Sequence, residues 1–200
     1  MLHYCWMRVR HRDWPDLHRK LGAALAAKIA LWDPVVADFL LEHEFGELMR
    51  PDVPLQEYAR LREWHNGSRP NDPMEAWAWG MMDIVEGRWR LHPALLLNGT
   101  DSAELRSRVW SAQVSVLMPM LEEERRSLIE RHRRHLRLPY RTLWGLVECA
   151  EDLELQHLSK ILSAVPQVDP ATQKKARRLG RIRNRLAHLE PLDMNDLDTL

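Results

Sequence analysis

Asp13-Trp14-Pro15, Asp33-Pro34, Asp72-Pro73 and Asp169-Pro170 each set an aspartate one or two residues ahead of a proline. An aspartate carboxylate can accept the orphan N–H groups of a helix's first turn. A proline placed just inside that turn gives up a donor that had no partner there. Each pair therefore reads as a helix start. The eight glycines mostly sit where helices should stop, and no stretch sustains a period-2 alternation. These observations point to an all-α chain, a helical bundle.

The spacing predicts helices over about 15–31, 34–45 and 54–65, a tryptophan-rich helix over 73–86, and a helix from Ser102 to about 117. Pro119 should kink or restart that helix, which then continues to about 136. Further helices are expected over 139–165 and 170–189, with Pro191 as the stop and a final turn over 195–200. Residues 66–70 read as a loop, and 87–99 carries too short an apolar run to assign. The turn Asn98-Gly99-Thr100-Asp101 is the best internal boundary. It divides the chain into residues 1–98, a helical part with a regulatory or partner-binding role, and residues 99–200, a second helical bundle. Nine tryptophans are many for 200 residues. Most belong in a core, where an indole buries a large area, and Trp77, Trp79 and Trp89 are candidates for an interface.

Composition narrows the function classes. Lys and Arg together equal Asp and Glu at 29 each, so no global field announces a nucleic-acid partner. The distribution says more. Lys174, Lys175, Arg177, Arg178, Arg181, Arg183 and Arg185 follow one another without an intervening acid. A second run, Arg125 to Arg141, holds seven arginines and two histidines against Glu130 alone. It is either a solvated helix face or a phosphate track. Two distant cysteines, Cys5 and Cys149, give neither a disulfide framework nor a metal-site spacing. No apolar run approaches the length of a membrane span, and the N-terminus lacks the apolar core of a secretion signal. A cytoplasmic protein that does not engage a membrane is expected.

The chemistry concentrates in Arg183-Asn184-Arg185-Leu186-Ala187-His188. On a helix, Leu179, Ile182, Leu186 and Leu189 form one apolar stripe, with Arg183, Asn184, Ala187 and His188 along its flank. Histidine titrates near neutral pH and can move the proton of a ribose 2′-hydroxyl. Arginine offers a planar fork to a phosphate and stabilises its developing charge. Arg183 and His188 stand about 7.5 Å apart along one helix axis and diverge in direction. Two copies of the helix about a two-fold axis would bring both types into one cleft, and Ala187 is small enough to permit close approach. The Arg-x4-His spacing by itself is common, and Arg60 to His65 repeats it; Asn184, Ala187 and the basic lead-in set the later copy apart.

The segment from Arg183 to Leu192 resembles the motif of HEPN domains (higher eukaryotes and prokaryotes nucleotide-binding), here in the form R-N-x-x-A-H. The likeness is sharp over some ten residues, fits the helical pattern after Ser102 loosely, and does not extend to the first hundred. It implies a helical bundle that dimerises through the motif helix. It also implies a metal-independent endoribonuclease of the bacterial toxin or antiviral-defence type. Arg183 and His188 would then be the catalytic pair and Asn184 their polar helper. Lys174, Lys175, Arg177, Arg178, Arg181 and Arg185 would hold RNA. The resemblance implies no metal and no cofactor. It allows a protein partner, either an antitoxin or a defence-complex subunit. A subgroup paired with a nucleotidyltransferase antitoxin carries tyrosine two residues after the histidine; this chain has Glu190 there, which argues against that pairing.

Two other readings stand beside it. Some HEPN domains have lost catalysis and act as scaffolds that bind a protein partner or a nucleotide. A helical DNA-binding regulator would also use a basic helix. Glu148, Glu151, Asp152, Glu154 and His157 look superficially like metal ligands. A di-iron bundle, however, needs a second Glu-x-x-His, which the chain does not supply. No glycine-rich phosphate loop, nucleophile elbow or zinc spacing is present.

Overall fold

The computed structural model describes residues 1–64, 71–97, 102–143 and 145–197. The Asn98–Asp101 turn, His65 of the second Arg-x4-His, the loop over 66–70 and the last three residues lie outside them. The described residues are mostly α-helical and fall into two compact units, Met1–Val116 and Leu117–Leu200. The division falls inside a long helix. No helix among the described residues is long and apolar enough to cross a membrane.

The first unit carries α1 (Leu2–Val9), α2 (Asp16–Ala30), α3 (Pro34–Glu42), α4 (Phe45–Leu48), α5 (Asp52–Leu61) and α6 (Pro73–Ala78). The buried face of α2, with Leu21, Leu25 and Ile29, forms its centre. Asp33 caps α3 by accepting from the Val35 N–H at 2.8 Å, and Asp72 caps α6 by accepting from the Met74 N–H at 2.9 Å. Asp13 makes no such cap: α2 begins one residue after Pro15, and no side chain caps it. The intervening Trp14 packs instead over Gly22, where a β-carbon would come within 2.7 Å of the indole.

The tryptophan-rich helix is shorter than its spacing predicts. It ends at Ala78, and Gly80, with φ +75°, reverses the chain. There follow β1 (Met82–Val85) and β2 (Arg88–Leu91), an antiparallel hairpin in which Ile84 faces Trp89. Its two-residue turn, Glu86-Gly87, has φ +53° and +73°, the positive pair that matches the twist of a hairpin. Trp77, Trp79 and Trp89 are all exposed. His92 follows β2 and is fully buried. Its Nδ1 accepts from the Ala94 N–H at 3.2 Å, so Nε2 bears the proton and meets Asp33 Oδ2 at 3.2 Å. Tyr58, Trp64 and Trp32 surround the ring.

α7 (Ser102–His132) runs through Pro119 without restarting, and stops before the end its spacing predicts. Its first half belongs to the first unit for a clear reason. Arg108, buried, donates to the Ile29 carbonyl at 3.0 Å, the Leu91 carbonyl at 3.1 Å and Glu104 Oε1 at 2.6 Å.

In the second unit, the span 139–165 is not one helix. β3 (Tyr140–Thr142) and β4 (Gly145–Val147) form a small hairpin, a 3-10 turn covers Ala150–Asp152, and only α8 (Leu155–Ser163) is helical. The physical reason lies in Gly145, at φ +137°, a conformation a helix does not use. α9 (Pro170–Ala187) is capped by Asp169, which accepts from the Thr172 N–H at 2.9 Å, and α10 (Met194–Leu197) follows Pro191. α8 and α9 bury Leu155, Leu158 and Leu162 with Ala176, Leu179, Ile182 and Leu186. They approach closely at Gly180, where a β-carbon would lie 3.4 Å from the Leu155 carbonyl.

Candidate functional site

Successive residues of α9 turn by 100°, and this rotation sorts its side chains. Leu179, Ile182 and Leu186 point into the core. Arg177, Gly180, Arg181, Asn184, Arg185 and His188 lie on the opposite arc. Together with Gln156, Ser159 and Lys160 of α8 and with Glu190, they line a groove of about 370 Å³. Gly180 stands at the closest point of the crossing, where an added β-carbon would already be in van der Waals contact with the Leu155 carbonyl at 3.4 Å, so a larger side chain would push the two helices apart. Lys160, Arg177, Arg181 and His188 are exposed and have no ion-pair partner among the described residues. Glu190 is the one acid on the lining, and it approaches Arg185 at 3.6 Å.

His188 is the last residue of the motif and caps α9, its N–H donating to the Asn184 and Arg185 carbonyls at 3.1 Å each. The chain then turns sharply. Leu189 has φ +59° and is 66% exposed, and the Glu190 N–H closes back to the Arg185 carbonyl at 3.0 Å. A left-handed, largely exposed non-glycine residue is uncommon and strained. It leaves Ala187 and His188 on an open surface at the helix end.

Arg183 does not share the groove. Its position on the wheel, beside the apolar stripe, turns it toward the other side of α8's N-terminus. There its Nη2 lies 3.1 Å from Glu154 Oε1. It lines a separate cavity of about 300 Å³ with Glu122, Arg125, Glu151, Asp152 and Glu154. Arg125 and Arg126 hold the Glu122 carboxyl down to about 2. Arg125 also donates to the Glu151 and Leu153 carbonyls at 2.5 and 2.9 Å, tying α7 to the segment before α8. The flank expected to carry Arg183, Asn184, Ala187 and His188 together is thus divided: Asn184 and His188 face the groove, and Arg183 faces the acidic cavity.

The remaining basic residues also separate. Lys174 is exposed but outside the groove lining, and Lys175 bonds Glu124 at 2.8 Å. Arg178 is half-buried, with Nε and Nη2 shielded from water and without a hydrogen-bond partner among the described residues; burial pushes its guanidinium down. Arg185 lines the groove but is held by the Pro191 carbonyl at 2.9 Å and by Asp196. Lys160, Gln156 and Ser159 join the site from α8. They were not expected from the sequence, because no motif marks them; only the close helix crossing at Gly180 brings them there.

Among the described residues, no three His, Cys, Asp or Glu side chains gather closely enough to hold a metal ion. His157, whose spacing from Glu154 suggested a ligand pair, instead accepts the Glu154 N–H at its Nδ1, 3.2 Å away, and so caps α8. Burial pushes its imidazole below the usual range, with the positive charges of Lys160 and Arg183 adding to this. Compared with known protein families, with characterised proteins and with solved structures, the chain matches none.

Proposed function

We propose that the chain is a HEPN-type endoribonuclease of the bacterial toxin or antiviral-defence class, acting in the cytoplasm as a homodimer. The observation that carries the reading is the α8–α9 groove. It gathers Lys160, Arg177, Arg181, Asn184 and His188 on one face with a single acid. Such a lining suits a phosphodiester backbone, whose affinity comes chiefly from cations that displace its counterions. His188 stands at the groove's end on an exposed helix terminus, where a second copy of α9 can approach across Ala187.

In the proposed reaction a ribose 2′-hydroxyl attacks its own neighbouring phosphorus as His188 takes the hydroxyl proton. The bond to the departing 5′-oxygen breaks, that oxygen takes a proton from water, and His188 returns the proton it accepted to the solvent. The products are a 2′,3′-cyclic phosphate and a 5′-hydroxyl. Arg183 stabilises the charge on the phosphoryl oxygens once it has left Glu154, and Asn184 orients the phosphate or the imidazole.

The test is cleavage of a fluorogenic RNA by the purified chain in EDTA. Cleavage should be lost in both His188→Ala and Arg183→Ala, with the cyclic phosphate as product. The separate cavities of Arg183 and His188, and the ion pair with Glu154, favour a second reading: a catalytically silent scaffold that grips RNA, a nucleotide or a partner without cutting. Tight RNA binding with no cleavage by the wild-type dimer would establish that reading.

A further inference from the structure

The basic run from Arg125 to Arg141 is resolved by its partners into two kinds of residue. Arg125 and Arg126 bond Glu122, Arg131 bonds Ser127 Oγ at 3.1 Å, and Arg133 pairs with Glu151. These four are occupied within the fold. Arg134, Arg137 and Arg141 are exposed and have no acidic partner among the described residues. With His135, Tyr140 and Lys160 they line a cavity of about 630 Å³ between the end of α7, the β3 strand and the C-terminal turn of α8. No acid appears on its lining, and the Tyr140 ring is braced 5.5 Å from His157.

Lys160 lines both this cavity and the α9 groove. The groove touches α8 at Gln156, Ser159 and Lys160, whereas the cavity touches it from Lys160 to the turn at Ala164. The two basins are therefore arranged end to end along α8, over about 12 Å between Gln156 and Ala164. That length exceeds what a single phosphate occupies, and one cation is common to both ends.

We infer that this cavity is a second phosphate subsite, which binds the flanking phosphodiesters of a single-stranded RNA whose motif-proximal part lies in the α9 groove. The inference rests on the RNA-binding reading above. It assigns Arg137 and Arg141 the role of holding the strand, with Lys160 at the junction. A continuous strand is favoured over a free nucleotide because the shared Lys160 joins the two basins, whereas a mononucleotide would fill only one.

The experiment measures binding of the full-length chain to a 2′-O-methyl RNA dodecamer, which cannot be cut by 2′-hydroxyl attack, by fluorescence anisotropy across a salt series. Arg137→Gln/Arg141→Gln should weaken binding about tenfold and reduce the slope of log K against log salt by about 1.4, the value for two contacts on a single strand. Arg137→Lys/Arg141→Lys, which keeps both charges, should retain the wild-type slope, and so should Arg126→Gln, whose arginine is paired with Glu122. An unchanged slope in the double Gln variant, with Arg177→Gln/Arg181→Gln still weakening the dodecamer, would overturn the subsite and leave the groove standing. ATP binding as tightly as the dodecamer would overturn it in favour of a small-nucleotide site. No binding by the wild-type chain would remove both the subsite and the RNA reading.

Discussion

Glu154→Gln probes whether Arg183 must leave its present partner in order to act. The pair is close, at 3.1 Å, but its side chains are 32% and 41% exposed. Ion pairs so open to water contribute about 0.2–1 kcal/mol, because solvent screens the attraction and two long side chains lose freedom in forming it. An energy of ~1 kcal/mol corresponds to a factor of about 5 in population. If the arginine works only when released, the standing pair therefore depresses kcat/KM by no more than about fivefold. Glu154→Gln should then leave kcat/KM unchanged or raise it by up to that factor. The substitution keeps a side-chain oxygen at the N-cap of α8, where Glu154 now accepts from the third residue of the helix, so thermal stability should hold. The assay is metal-free cleavage of a fluorogenic RNA under single-turnover conditions, paired with a melting curve. A tenfold or greater fall in kcat/KM at unchanged Tm would refute the reasoning. It would mean that Glu154 holds Arg183 in its working position. Arg183→Lys, which keeps the charge but loses the planar fork, should lower kcat/KM in either case.

Four further outcomes follow from the geometry. Arg108→Ala leaves the Ile29 and Leu91 carbonyls of the first unit without their donor, and should destabilise that unit by about 3–5 kcal/mol in urea unfolding. Gly180→Val places branched carbon against the Leu155 carbonyl; it should cost about 1–3 kcal/mol and weaken RNA binding by spreading the groove, as read by anisotropy. Leu189→Gly relieves the left-handed backbone after His188 and should raise stability by about 0.5–1 kcal/mol, measured by calorimetry. Burial lowers the pKa of His92, and the His92 hydrogen bond lowers that of Asp33. A depressed folded pKa gives stability that is present above the unfolded value and lost as pH falls, so the first unit should lose stability below about pH 6.5 and again below about pH 3.8. His92→Phe should flatten the upper part of that profile in pH-dependent melting.

The helix starts were written in the sequence where aspartate stands directly before proline, because capping needs only a local carboxylate and a local N–H. Asp33, Asp72 and Asp169 all cap. The two hairpins were hidden for a related reason. Glu86-Gly87 is a two-residue turn followed by Arg88-Trp89-Arg90, residues that fit a helix surface as readily as a strand. The alternation lasts only four residues on each side. Their pairing depends on positive φ at Glu86 and Gly87, which hydrophobic periodicity does not register. Periodicity is equally silent about β3 and β4, whose hairpin depends on the positive φ of Gly145 at the start of β4.

At the candidate site, the motif residues could be identified by type, but their directions followed from what packs beside α9. The 100° step already separates Arg183, next to the apolar stripe, from His188, opposite it. Treating both as one flank ignored the second helix. α8 crosses at Gly180 and splits that flank into a cationic groove and an acidic cavity, each filled by its own set of neighbours. Charge follows the split. Arg183 pairs with Glu154 in a cavity lined by four carboxylates and Arg125, whereas Asn184 and His188 line a groove with three arginines, a lysine and the lone acid Glu190. On the proposed reading, one chain holds the anion-binding residues in a single place, while Arg183 lies on the other side of α8. Two routes can reunite them: release of Arg183 from Glu154, or supply of an arginine by a second α9. They differ in a measurable way. Mixed dimers of Arg183→Ala with His188→Ala recover up to half the wild-type activity if each site draws its arginine from the partner, because one of the two sites is then intact. They stay inactive if arginine and histidine act from the same chain.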